Sequence, residues 1–267
     1  MATKAKRFKG IESAFLVILL CAAVAVSVFI FILGDPANFA NEDPVNGHPE
    51  NMLGTIYKGG FIVPVLQTLF LTVIVLSVER AIVLMKAMGK GKTAKFVAAI
   101  KAKLANNDIA GAQALCDKQQ GCVANVVTSV LVKYEQMEKD TRLTKEQKLA
   151  VIQQEVEEAT ALELPALNQN LPIIATLTTL GTLVGLLGTV MGMIKSFSAL
   201  ASDGAADSVA LSAGISEALI NTAFGIATGA LAVISYNFFT SKIDNLTFAI
   251  DEIGFSIVGT YAATHEN

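Results

Sequence analysis

The chain has 267 residues and a formal net charge of −3, with 53% hydrophobic and only 16% charged residues. This composition, with a mean hydropathy of +0.55, is typical of a protein that crosses a membrane several times and argues against a soluble globular protein. The small negative charge leaves no basic face large enough to bind nucleic acid, so no nucleic-acid partner is expected.

Four apolar segments are long enough to cross a bilayer, since a hydrocarbon core of about 30 Å needs about 20 helical residues. They cover residues 13–33, 60–84, 171–200 and 209–239. The first follows a basic stretch and could instead be a secretory signal peptide. Its apolar run is longer than the usual signal region, however, and no convincing cleavage site follows it. We therefore predict a retained span.

The distribution of lysine and arginine predicts the orientation of these spans, because cytoplasmic flanks of membrane helices carry an excess of both residues. Cations precede the first span and follow the second, whereas the loops at 34–59 and 201–208 are mainly acidic. The predicted topology has periplasmic loops at 34–59 and 201–208, a cytoplasmic N-terminus at 1–12 and a cytoplasmic tail at 240–267.

Residues 85–170 have the composition of a soluble helical domain. Residues 95–104 carry apolar side chains at three- and four-residue spacing, which is typical of an amphipathic helix. The run from Thr144 to Gln147 has the form of a capping box that begins another helix. The predicted fold class is therefore all-α, with four transmembrane helices extended by a helical cytoplasmic domain.

The three cysteines predict neither a disulfide framework nor a metal site, because no histidine or second cysteine falls at ligand spacing. Cys21, Cys116 and Cys122 are better explained as small apolar fillers. We expect no metal and no other cofactor.

When the third span is drawn as a helix with 3.6 residues per turn, its glycines and its hydroxyl side chains fall on two neighbouring faces. Its glycines recur every three or four residues and form a smooth face on which another helix can pack closely. Its hydroxyls form a neighbouring line that could face a hydrated path, although each could instead bond back to a carbonyl of its own helix. The glycines are Gly181, Gly185, Gly188 and Gly192, and the hydroxyls are those of Thr178, Thr182, Thr189 and Ser196.

The fourth span contains one charged residue, Glu217. A carboxylate at bilayer depth is costly, which suggests a functional site. The alternative is a structural carboxyl that bonds to a neighbouring helix. Thr222 lies about 140° around the same helix from Glu217, so the two do not meet within one helix. Gly225 and Gly229 lie on a second line of small residues suited to packing.

Two runs of sequence in these spans carry a recognisable set of motifs. They are GLLGTVMGMIKSF at 185–197 and GISEALINTAFGIATGALAVISYNFF at 214–239. They contain, in order, a Gly-Thr pair, a glutamate followed by Ala-Leu, and a threonine among small residues. In order and separation these motifs resemble the conserved pair of spans in the MotA/TolQ/ExbB proton channel family, most closely its ExbB and TolQ members.

The resemblance implies a homopentamer whose third and fourth spans line a central pore. That pore surrounds the single-span helices of an ExbD-like partner, whose aspartate carries protons. Thr189 and Thr222 match the pore threonines of the family, and Glu217 matches its span glutamate. We therefore expect these three residues, with Thr178 and Thr182, to belong to the proton path. The implied function is that of an ExbB-like proton-channel and stator subunit, not an enzyme, which uses proton motive force in the inner membrane to energise a TonB-like transducer.

Two departures from the family pattern keep alternatives open. Many ExbB and TolQ members have proline where this chain has Thr182 and Ala213. The N-terminal span also makes four spans in place of three, and MotA-like stators have four. A TolQ- or MotA-like stator is therefore one alternative. Another is a structural membrane scaffold without proton conduction, in which the glycine face drives oligomerisation and Glu217 only seals a helix contact.

Overall fold

The structure, a computed structural model, describes residues 14–44, 47–202 and 208–264, and its regular elements are helical. Four helical segments of the described chain are long and apolar enough to span a bilayer, which confirms the prediction of an all-α protein with four spans. The helices are α1 (Ala14–Val28, continued by a π-helical turn at Phe29–Leu33), α2 (Met52–Tyr57), α3 (Ile62–Ala87), α4 (Thr93–Ala105), α5 (Ile109–Gln119), α6 (Cys122–Lys139), α7 (Lys145–Asn168), α8 (Leu171–Ser202) and α9 (Ser208–Thr264).

The chain forms two compact units, which we call the span unit and the helical unit. The described residues of the span unit come from 14–78 and 170–237, and those of the helical unit from 79–169 and 238–264. Residues 240–264, predicted as a tail, continue α9 and belong to the helical unit.

Within the span unit, α1 carries its largest apolar side chains on the exposed face and smaller side chains on the buried face. Phe15 and Phe31 are 70% and 75% exposed, as expected for side chains that meet lipid tails. Val17, Cys21 and Ala25, spaced four residues apart, form the buried side of α1. The small residues thus face protein and the large ones face outward.

The predicted loop at 34–59 is folded onto the end of α1. The Asn38 side chain donates to the carbonyl oxygen of Ile32 at 2.8 Å and accepts from Asn51 Nδ2 at 2.8 Å. The ring of Tyr57 stacks on that of Phe29, with centroids 4.7 Å apart. These contacts give the segment a defined structure that its acidic composition did not predict.

In the helical unit, α7 begins with the capping box predicted from the sequence. The Thr144 hydroxyl accepts from the Gln147 amide at 3.3 Å, and the Gln147 side chain accepts from the Thr144 amide at 3.0 Å. Two of the amide groups left open at a helix start are thereby satisfied.

Cys116 and Cys122 are free thiols buried in the helical unit. Burial raises the pKa of each thiol to about 12. Because the thiolate is the reactive form, we expect neither cysteine to react with iodoacetamide at about pH 8, within the range where an exposed thiol ionises. Both should react once the protein is unfolded, which peptide mass spectrometry can measure. Rapid alkylation of either thiol in the folded protein would contradict this burial.

Candidate functional site

Helices α8 and α9 approach each other backbone to backbone along the glycines. A Cβ added at Gly185 would lie 2.9 Å from the Asn221 carbonyl oxygen and 2.9 Å from Gly225 Cα, closer than real Cβ atoms come. A Cβ at Gly225 would lie 2.7 Å from the Gly181 carbonyl oxygen. The glycine face is therefore occupied by α9 of the same chain. The buried glycines are Gly181, Gly185, Gly188 and Gly192 of α8 and Gly225 and Gly229 of α9.

Glu217 forms an ion pair with Lys195 of α8, a residue that the sequence argument did not single out. Lys195 Nζ lies 2.7 Å from Glu217 Oε1 and 2.9 Å from Oε2. The side chain of Glu217 is 7% exposed and that of Lys195 is 51% exposed. The carboxylate is thus enclosed while the ammonium remains half accessible.

The backbone before α3 also packs against this carboxylate, next to the Lys195 ammonium. Gly60 has a φ of +77°, and a Cβ there would lie 2.5 Å from Glu217 Oε1. Only glycine adopts such a φ at little cost and leaves room for the carboxylate. Glu217 is therefore held between α8, its own helix and the residue two positions before α3.

Asn221, one turn after Glu217 on α9, makes a second connection to the same backbone. It is fully buried, and its Nδ2 donates to the Gly59 carbonyl oxygen at 2.9 Å. The absent side chain of Gly188 makes room for it, since a Cβ there would overlap the Asn221 side chain. Among the described residues, Asn221 Oδ1 has no hydrogen-bond partner. Sequence reasoning passed over Asn221 because asparagine carries no charge to mark it.

The candidate threonines donate their hydroxyls to carbonyls of their own helices, as membrane threonines commonly do. A hydroxyl that donates in this way still has lone pairs with which to accept a hydrogen bond from water. The bonds run from Thr178 to Ile174 at 3.4 Å, from Thr182 to Thr178 at 2.9 Å, from Thr189 to Leu186 at 2.6 Å and from Thr222 to Ala218 at 3.0 Å.

Thr189 and Thr222 lie on the same side of the α8/α9 pair. Gly188 meets Asn221 at the contact, and each threonine is the next residue, about 100° further around its helix. Because the two helices are antiparallel, these rotations turn both threonines to one side. Glu217 lies about 40° from Asn221 in the opposite sense. The structure therefore brings the threonines together on one side and places Glu217 towards the other.

Two further threonines of α8 share this side, which is otherwise largely apolar. Thr178 and Thr182 lie within about 20° of Thr189 around the helix. Thr189 also borders an open groove of about 590 Å³ whose lining includes Met193 and Phe197. We call the side that carries Thr178, Thr182, Thr189 and Thr222 the threonine side.

Comparison with known proteins places this pair of helices in a described family. Residues 125–252 match the model of the MotA/TolQ/ExbB proton channel family. The chain is 39% identical over 88 residues to the putative biopolymer transport protein ExbB-like 3 of Synechocystis, which covers 32% of this chain and 42% of that protein.

Two further relatives carry different names. The chain is 41% identical over 80 residues to the Tol-Pal system protein TolQ of Pseudomonas aeruginosa, covering 30% of this chain and 35% of that one. It is 31% identical over 85 residues to the biopolymer transport protein ExbB of Salmonella typhimurium, covering 32% and 35%. The chain thus spans less than half of the length of these relatives.

Proposed function

Because residues 125–252 match the model of the MotA/TolQ/ExbB proton channel family, we propose that the chain is the proton-channel and stator subunit of an inner-membrane complex. In this proposal the complex uses proton motive force to energise a TonB-like transducer for transport across the outer membrane. The observation that carries the proposal is the threonine side of the α8/α9 pair, where hydroxyls from both helices interrupt an apolar surface.

In the proposed assembly, several copies of the chain, five by resemblance to the family, turn their threonine sides towards a common pore. Each hydroxyl donates to its own helix and accepts from water, so a file of waters can be held along the pore wall. An ExbD-like single-span partner supplies the aspartate that carries the proton. A membrane potential provides about 2.3 kcal/mol per charge per 100 mV for mechanical work.

The proposed orientation places both termini in the cytoplasm. Its support is the cluster of lysines at and after the end of α3, which the positive-inside tendency assigns to the cytoplasmic side. The Lys195–Glu217 pair then lies towards the periplasmic end, because Lys195 is seven residues before the end of α8.

An ExbB-like role is preferred, and a TolQ-like role is the second candidate because the aligned relatives carry both names. A MotA-like stator has less support, since its argument is the number of spans alone. The scaffold alternative required the glycine face to join subunits, and α9 of the same chain already covers that face.

The proposal predicts that the tagged chain co-purifies with a single-span protein that carries an aspartate in its span. The pair, reconstituted in liposomes, should take up protons when a potential is imposed. An assembled pair that shows no uptake above protein-free liposomes would contradict the proposal.

Replacing Thr222 with valine should lower that uptake by about tenfold, because a hydrogen bond contributes about 0.5–1.5 kcal/mol and 1.4 kcal/mol is a factor of ten. Valine keeps the shape and removes the hydroxyl. The matched control is Thr176→Val, since Thr176 also donates within α8, at 2.9 Å to Pro172, but lies about 140° around the helix from Thr189. Equal uptake by the two variants would remove Thr222 from the path.

A further inference from the structure

We propose that Lys195 is a positioning residue that, through Glu217, fixes α8 and α9 to the Gly59–Gly60 junction. In this proposal the proton route follows the threonine side and does not pass through the Glu217 carboxyl. The inference rests on the proposed function for the existence of the route. We call the Lys195–Glu217 pair, together with the contacts of Glu217 and Asn221 with Gly59 and Gly60, the joint. Its position rests on contacts within the span unit.

The Glu217 carboxylate is bound by one cation. Both oxygens of Glu217 lie within hydrogen-bond distance of the single Lys195 ammonium, at 2.7 and 2.9 Å. Gly60 borders the same oxygen, because a Cβ there would lie 2.5 Å from Glu217 Oε1 and 3.4 Å from Lys195 Nζ. The carboxylate is therefore occupied by a cation and enclosed by backbone. The Glu217 side chain is 7% exposed, so its own contact with water is small, and the ionisable group that it contacts is the Lys195 ammonium.

Glu217 and Asn221 together attach α9 to the Gly59–Gly60 junction. The two residues lie one turn apart on α9 and bind consecutive residues of the same junction, Gly60 by close packing and Gly59 by the 2.9 Å hydrogen bond. Two attachments one turn apart prevent α9 from rotating against the start of α3. Lys195 extends the same joint to α8. The joint therefore sets the rotation of the two helices that carry the threonines.

The contacts at Glu217 are separated from the threonine side of α9. Glu217 and Thr222 are about 140° apart around α9. The contact between α8 and α9 lies between them, and it is filled by Gly188 and Asn221 at distances that leave no space for a Cβ. Within the part of the chain that the structure describes, this contact separates the threonine side from Glu217. A change at Lys195 would act by turning the threonines and not by removing a carrier.

The test compares four variants in the reconstituted complex: Lys195→Gln, Glu217→Gln, the double variant and Lys195→Arg. Each single glutamine leaves one charge without its partner, so proton uptake should fall by about fivefold, the size of the coupling usual for contacting residues. Two glutamines can bond to each other without charge. The double variant should therefore recover to within about twofold of the wild type, and Lys195→Arg should retain uptake because it keeps the cation.

One result would overturn the proposal. If the double variant is as inactive as Glu217→Gln, the carboxyl itself is required and Glu217 is a carrier. A changed pH profile of uptake in the double variant would lead to the same conclusion, because removal of a positioning pair leaves the titrating groups of the route unchanged. The control is Lys101→Gln with Glu252→Gln, a half-exposed pair at 2.6 Å in the helical unit, which should show no such coupling.

A stability measurement separates this proposal from the proposed function. Unfolding of the four variants in detergent should show coupling between Lys195 and Glu217, whether or not the complex conducts. If the wild-type complex takes up no protons, the proposed function is wrong. The coupling in stability between Lys195 and Glu217 still tests the joint in that case. If the effects of the two single substitutions on stability are additive, Lys195 and Glu217 are not coupled. That result would contradict the proposed joint even if proton uptake is normal.

Discussion

Replacing Arg80 with methionine is expected to lower the free energy of unfolding by about 3–5 kcal/mol, the usual cost of removing one partner from a buried ion pair. Arg80 is fully buried. Its Nε donates to Glu79 Oε2 at 2.6 Å, and its Nη2 donates to Oε1 at 2.5 Å. Methionine keeps much of the length of the side chain but leaves the Glu79 carboxylate without this cation.

The Arg80 guanidinium also donates hydrogen bonds to the C-terminal end of α7. Arg80 Nη1 donates to the carbonyl oxygens of Ala166 and Leu167 at 3.2 and 3.3 Å, which are among the carbonyls that a helix end leaves open. The substitution therefore removes a cation and a cap together. Unfolding in detergent can be followed with a thiol-reactive dye, because all three cysteines are buried in the folded chain.

The matched control for this prediction is Arg142→Met. Arg142 pairs with Asp140 at 3.0 Å, but its side chain is 86% exposed. Pairs in water contribute only about 0–1 kcal/mol. A loss of stability in Arg80→Met no larger than in Arg142→Met would mean that the buried network contributes little.

Replacing Gly185 with alanine should destabilise the chain by about 1–3 kcal/mol, the usual cost of overpacking a close contact. The new Cβ would meet backbone atoms of Asn221 and Gly225 at 2.9 Å, and backbone cannot move aside as the end of a side chain can. Helices α8 and α9 would have to separate. The threonines on both helices would move with them, so proton uptake should fall as well.

Gly259→Ala is the control for this substitution. Gly259 lies in α9 and a Cβ there meets nothing within 4 Å. Alanine is favoured over glycine in a helix by about 1 kcal/mol, so this variant should be as stable as the wild type or more stable. Equal destabilisation of the two variants would show that the close approach at Gly185 is not the cause.

The span pattern could be predicted from the sequence because long apolar runs carry a strong signal. The course of α9 beyond residue 239 could not, because the signal for a membrane span ends where its apolar run ends. In hindsight the chain has no proline after Pro172, so nothing in the later sequence forces α9 to stop before Thr264.

Lys195 was missed although its signal is in the sequence. It is the one charged residue between positions 171 and 200, and the cost of a charge at bilayer depth applies to it as it does to Glu217. What the sequence does not contain is the pairing. Spacing within one helix cannot show that two residues on different helices meet, nor that Gly60 closes the site behind them.

The threonines show the same limit. Their period on α8 placed Thr178, Thr182, Thr189 and Ser196 on one line. Ser196 is instead fully buried and donates to the Leu211 carbonyl oxygen of α9 at 3.2 Å. The relation of the other three to Thr222 depends on which faces of α8 and α9 are in contact. The contact of Gly188 with Asn221 supplies that information, and helix geometry then places Thr222 on the threonine side.

The most direct test of a proton route along this side is potential-driven proton uptake by the reconstituted complex carrying Thr189→Val together with Thr222→Val. The account predicts uptake at least about tenfold below the wild type, since two hydrogen-bonding groups are lost, with unchanged assembly and stability. Wild-type uptake in this double variant would contradict the account, because the pore wall would then conduct without its hydroxyls.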